Sequence, residues 1–240
     1  MIDWLRRGKE EPSVTIGGRE VPLAIRRHAR ATRLTMRLAP DGSEVRVTLP
    51  TWCSSREALV FASSRLDWLE SQLAKVPRAE PPMPGGLLPY RGAALAIDWV
   101  ANRHRTPKLA GETLAVGGPV ESLPARLQRW LESEARRLLG EDVADYCARA
   151  GRPAAPLRLS RAQRRWGSCS DRESIRINWR LVMAPDEVRR SVVAHEVAHL
   201  AHFDHSPAFH AELGRLYEGD LSAADRWLKD HGRTLYAPFG

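Results

Sequence analysis

The chain has 240 residues, 43% of them hydrophobic and 28% charged, a composition that excludes a disordered or membrane-embedded chain and suits a soluble globular protein. That length supports one compact core, or a catalytic domain with a smaller domain in front of it. A formal net charge of +8 leaves nucleic acid or acidic proteins open as partners, but the arginines are scattered among acidic residues and no recognition motif accompanies them, so a solvated surface accounts for the excess.

In chain order, the stretch from Met1 to Glu10 is too charged for the apolar run of a secretory signal, and no later stretch approaches membrane-spanning length. Cys53, Cys147 and Cys169 are odd in number and far apart, which fits neither a disulfide framework nor a paired zinc knuckle. A reducing cytoplasm is the expected location. From Ser13 to Pro50 apolar and polar residues alternate, as in Val14-Thr15-Ile16, Leu23-Ala24-Ile25, Leu34-Thr35-Met36-Arg37-Leu38 and Val45-Arg46-Val47-Thr48-Leu49. With Gly17-Gly18 and Asp41-Gly42 as turn signals, this predicts a small antiparallel β unit.

Leu59, Ala62, Leu66, Leu69 and Leu73 recur at helical intervals and predict one helix over Ser54 to Val76, capped by Ser55. The Pro- and Gly-rich stretch from Pro77 to Pro89 follows, and the domain boundary is placed there: 1–78 β-rich, 79–240 catalytic. Leu95 to Val100 and Thr113 to Val116 read as two strands joined by a loop, and Pro124 to Ala150 as a long amphipathic helix forming a back wall. Leu157 to Ser160 and Ser174 to Trp179 read as strands, with Arg164 to Ser170 between them. No internal repeat is legible. The expected fold class is therefore α+β.

The chemistry is concentrated further on. Pro185, Asp186 and Glu187 mark the start of a helix predicted to run to Phe203, and inside it lies His195-Glu196-Val197-Ala198-His199. Residues four apart share a helix face, so both imidazoles can reach one ion with Glu196 beside them. Two ligands rarely hold a catalytic zinc, so a third is required. His205 lies in a turn closed by Ser206-Pro207, a cap and first residue for the next helix, and can swing back over the first helix. His202, His210, Glu212 and Glu218 compete for the same role.

Further residues invite chemistry. Cys169 could act as an inhibitory thiolate ligand and Ser168 as a hydrogen-bond donor, although Trp166 and Cys169 also suit a buried position and Gly167 a tight turn. Arg165 and Tyr236 are candidates for stabilising an oxyanion, and Asn178 could anchor backbone groups in a strand whose edge aligns an extended peptide.

The runs Arg165-Trp166-Gly167-Ser168-Cys169-Ser170, Ile175-Arg176-Ile177-Asn178-Trp179-Arg180-Leu181, His195-Glu196-Val197-Ala198-His199-Leu200 and His205-Ser206-Pro207-Ala208-Phe209 resemble the YgjP-like metallopeptidase family, a group related to SprT-like and WLM-type proteases. His210 stands where many relatives carry a tryptophan. The resemblance implies a zincin-like catalytic domain after the N-terminal β unit, with Zn2+ held by His195, His199 and His205 and with Glu196 as catalyst. The expected activity is hydrolysis of peptide bonds in extended or unfolded protein segments. A zinc-stabilised scaffold and a non-peptidase amide hydrolase are the alternatives.

Overall fold

The computed structural model describes residues 12–76, 80–163, 165–171 and 173–239. The chain divides into two compact units, Met1–Pro77 and Arg78–Gly240. The boundary expected after residue 78 falls on residues 77–79, which lie outside the described residues, as does the charged N-terminal stretch of residues 1–11.

In the first unit the strands are β1 (Ser13–Ile16), β2 (Arg19–Arg27), β3 (Thr35–Leu38) and β4 (Val45–Leu49), in the order β1-β2-β4-β3. Alternation buries Val21 and Leu23 on one strand and Val45, Val47 and Leu49 on another, as period-two patterning requires. The sheet is mixed and not wholly antiparallel, because β2 and β4 pair in parallel through Leu23↔Val45 to Arg27↔Leu49. Alternation identifies a strand's wet and dry faces but not the direction of its neighbour.

The helix expected over Ser54 to Val76 is two helices, α1 (Ser55–Ser63) and α2 (Leu66–Leu73). Ser64 Oγ donates to the carbonyl of Phe61 at 2.9 Å, and the Arg65 amide reaches back only to Ala62. This local bonding competes with the helical ladder at the break. The cap is Ser54, not Ser55, and it forms a capping box with Glu57. Hydrogen bonds from the Ser54 amide and hydroxyl hold the Glu57 carboxyl below its ordinary pKa.

The second unit opens with β5 (Leu87–Tyr90), β6 (Ala93–Trp99), β7 (Lys108–Ala110) and β8 (Thr113–Val116) in the order β5-β6-β8-β7, with β6 and β8 parallel. This is the strand order of the first sheet with the same parallel pair. Strand β7 lies within the segment expected to be loop, its three residues all exposed and so without alternation. The long helix α3 (Leu123–Arg149) buries Leu123, Leu127, Leu131, Ala135, Leu139, Val143 and Tyr146 in the core shared with this sheet.

A three-stranded sheet of β9 (Leu157–Ser160), β10 (Gly167–Cys169) and β11 (Ile175–Asn178) follows, in the order β10-β11-β9. Helix α4 (Asp186–Ala198) packs against α3, β10 and β11. It is buried almost all round, so even Arg189, Ser191 and Glu196 lie inside. Helices α5 (Pro207–Leu216) and α6 (Leu221–His231) close the unit. Ser206 caps α5 as predicted, and Asp220 caps α6 through the amides of Ser222 and Ala223. Among the described residues no helix is long and apolar enough to cross a membrane.

Candidate metal centre

His195 projects from the last turn of α4, and His199 is the residue on which that helix ends. The helix is shorter than expected. After Ala198 the amides of Leu200 and Ala201 form tight turns onto Val197 and Ala198, and His199 Nδ1 lies 2.9 Å from the carbonyl of His202. That contact is a donation from Nδ1, so the Nε2 lone pair of His199 is left facing away from its own backbone. His202 therefore contributes to the site through its carbonyl.

The turn that follows returns His205 to the same place. His195 Nε2 lies 3.2 Å from His199 Nε2 and 3.4 Å from His205 Nε2, and one potential ligand atom from each of the three falls within 4.8 Å of the others. Zinc–nitrogen bonds of about 2.0–2.1 Å in a tetrahedron set nitrogens about 3.3–3.4 Å apart, so the two separations from His195 match those of such a site. Phe209, fully buried at the start of α5, forms its floor, with ring centroids 5.0, 4.5 and 4.8 Å from those of His195, His199 and His205. Burial, reinforced by the neighbouring His199, His205 and His210, pushes the His195 pKa down to about 4. Its imidazole is thus neutral and a competent donor at ordinary pH.

The competing ligands lie elsewhere. Glu218 accepts from Tyr146, Arg149 and Arg190, tying α3 to α4, and Glu212 is paired with Arg215. The exposed His210 lines the neighbouring cleft without joining the triad.

Glu196 follows His195 and is only 5% exposed. Its carboxylate rests on the backbone of β10, where a Cβ on Gly167 would lie 2.4 Å from Glu196 Oε1. Gly167 is consequently in a strand rather than a turn, paired with Ile177, and it is needed for this close approach. Burial raises the Glu196 pKa to about 7, against the opposing influence of Arg165 and a hydrogen bond from the Cys169 amide. A cleft of about 510 Å³ opens beside it, with Arg165, Trp166 and Asp225 and an apolar wall of Val192, Leu213 and Leu228.

Other expectations are corrected by position. The Cys169 thiol is pushed up to about 11, chiefly by burial and then by Glu196, and it does not join the histidine group. It is a poor thiolate at neutral pH. Its amide, not its sulfur, reaches Glu196. Tyr236 is buried, its hydroxyl within 3.4 Å of Asn178 Nδ2 and 3.5 Å of the Ala162 carbonyl, while Arg165 lines the cleft. Asn178 anchors backbone as expected, accepting from the Arg180 amide at 3.1 Å and donating to the Ala162 carbonyl at 2.9 Å. Its strand β11 is central, however, so the free sheet edge beside Glu196 belongs to β10. The roles of Gly167 and Phe209 depend on contacts between distant segments, and the sequence pattern that could have flagged them is their place inside the family's motifs.

No curated protein and no solved structure matches the chain significantly. A family model does, the YgjP-like metallopeptidase domain, over residues 32–231. Both sheets of the second unit, the histidine cluster and the buried carboxylate fall within that span, and the chain belongs to the YgjP-like metallopeptidase family.

Proposed function

We propose that the chain is a zinc-dependent peptidase in which His195, His199 and His205 hold the ion and Glu196 is the general base. The observation that carries this reading is the convergence of three imidazoles, two of whose nitrogen separations match a tetrahedral zinc site and which each bring one potential ligand atom within 4.8 Å of the others, beside a buried carboxylate that makes no ion pair among the described residues. Structural zinc sites fill all four positions with protein ligands, whereas three ligands and a neighbouring acid suit catalysis. Bound zinc would supply Lewis acidity toward water and the scissile carbonyl.

The chain's own residues account for the rest. Glu196 takes the proton of the attacking water and passes it to the departing amine, a cycle open to a buried carboxylate next in sequence to His195. The Cys169 amide orients that carboxylate. Arg165, which lines the cleft, is the better placed candidate for stabilising developing negative charge, because Tyr236 is turned toward Asn178 and Ala162. The outer edge of β10, apart from the Cys169 amide held by Glu196, offers backbone groups to an extended peptide, and the apolar wall of the cleft receives one of its side chains. Folded substrates do not present such a strand, so unfolded segments are the expected targets.

The test is cleavage of denatured casein by the purified protein, zinc-loaded and chelator-treated. Cleavage by the loaded form alone supports the proposal. Zinc binding without any cleavage favours a scaffold, and cleavage of small amides alone favours the non-peptidase alternative.

A further inference from the structure

A second cleft, of about 470 Å³, lies beside the start of α3, walled by Arg105, Arg126, Arg129, Ser122, Ser133 and Trp130. It shares no lining residue with the cleft at His195 and Glu196, and among the described residues its lining contains no carboxylate. Arg126 is only 7% exposed. Its Nη atoms donate to Ser122 Oγ at 2.6 Å and to the Pro119 carbonyl at 2.8 Å, while its buried Nε has no acceptor. Neutral oxygens do not balance a buried guanidinium charge, which ordinarily lies against an anion. Burial first, then repulsion from Arg105 and Arg129, hold this guanidinium below its ordinary pKa.

The surroundings add to the positive potential. Arg126 sits in the first turn of a 27-residue helix whose first turn holds no acidic residue, the nearest being Glu121 in the 3-10 turn that leads into it, so the positive end of the helix dipole lies at the same end of α3 as Arg126. The loop bearing Arg105 is pinned, because the Gly117 and Gly118 amides donate to the carbonyls of His104 and Ala101 at 2.9 and 3.0 Å. A Cβ on Gly118, which has φ +87°, would lie 2.9 Å from Arg105 Cγ and 3.3 Å from Arg126 Nη1. Only glycine lets the two arginines approach here.

We infer that this cleft is a binding site for a phosphoryl group, brought either as free phosphate or as the phosphate of a nucleotide. Arg105, Arg126 and Arg129 line one cleft together with Thr106 and Ser133, and three guanidinium groups so gathered match a multiply charged anion with three or four oxygens better than a singly charged, planar carboxylate. Trp130, partly buried with its ring centroid 5.1 Å from that of Tyr90, lines the same cleft and is the residue on which a base would stack. The site would couple the peptidase unit to a phosphorylated small molecule independently of its zinc chemistry.

Calorimetric titration of the full chain tests this, with inorganic phosphate, adenosine monophosphate and acetate at matched ionic strength. Arg105 and Arg129 are both exposed, so Arg105→Gln, Arg129→Gln and the double variant are expected to fold, which thermal melting and zinc content check. The expected result is phosphate binding at least about tenfold tighter than acetate binding, weakened about tenfold by each single variant. Tighter binding of the nucleotide, with the gain lost in Trp130→Ala, identifies a nucleotide as the source. Equal binding of the two identifies free phosphate. Absence of phosphate binding by the wild-type chain, or unchanged binding in the folded double variant, overturns the inference.

Discussion

The three imidazoles of the proposed centre are held by unequal means. His195 is fixed by helix burial and His199 by the His202 carbonyl, whereas His205 is exposed and depends on a turn. His205→Ala should therefore lower zinc affinity by more than about 100-fold while leaving the fold intact. His202→Ala keeps the backbone carbonyl that matters and should retain zinc, as should His210→Ala. Competition with a chromophoric chelator measures all three, and wild-type affinity in His205→Ala would reassign the third ligand. Glu196 makes a separate prediction through pH. Its pKa is raised in the folded chain from an ordinary 4.5 to about 7, so the metal-free folded state binds the extra proton and loses stability as pH rises through that window. The stability difference between wild type and Glu196→Gln, followed by urea denaturation of metal-free protein, should decline from about pH 4.5 to about pH 7. A flat difference would mean that the carboxyl is not desolvated.

The α4–β10 contact decides whether the proposed base, Glu196, is aligned, and the α3–α4 contact helps hold α4 in place. Gly167→Ala introduces a Cβ 2.4 Å from Glu196 Oε1, which must displace the carboxylate. The expected result is a fall in kcat/KM of about 100-fold with zinc content unchanged, since a shift of about 1 Å in a catalytic group has that effect. Behind α4, the buried Asp142 of α3 accepts from Arg189 at 2.7 Å and Arg190 at 3.1 Å. Asp142→Ala strips two arginines of a shared partner and should cost about 3 kcal/mol in urea denaturation. Glu218, one of the residues competing for the third-ligand role in the sequence, belongs to this same clamp. Element type was legible wherever periodicity was strong: α3 and the start of α4 lie where apolar spacing and the Pro185-Asp186-Glu187 start place them. Strand β10 was not, because a Gly-Ser-Cys stretch has no alternating pattern and is held in the sheet by its pairing with β11.

Both units carry a four-stranded sheet with the same order and the same parallel central pair, yet no repeat is legible in the sequence. What the two sheets share is the path of the chain, which alternating residues of different identity can follow equally well. The α+β class was legible in the sequence, and the residues proposed for the centre could be named there because His195, Glu196 and His199 are set by helical period and His205 lies inside a motif of the family. The contacts that orient them were not, since Gly167, Phe209 and the His202 carbonyl act across segments that only folding brings together. The most direct test of the account is the Glu196→Gln variant, assayed for zinc by metal analysis and for cleavage of denatured casein. The substitution removes the proposed base and none of the proposed ligands, so stoichiometric zinc with cleavage reduced by at least about 100-fold is predicted. Undiminished cleavage by the zinc-loaded variant would contradict it.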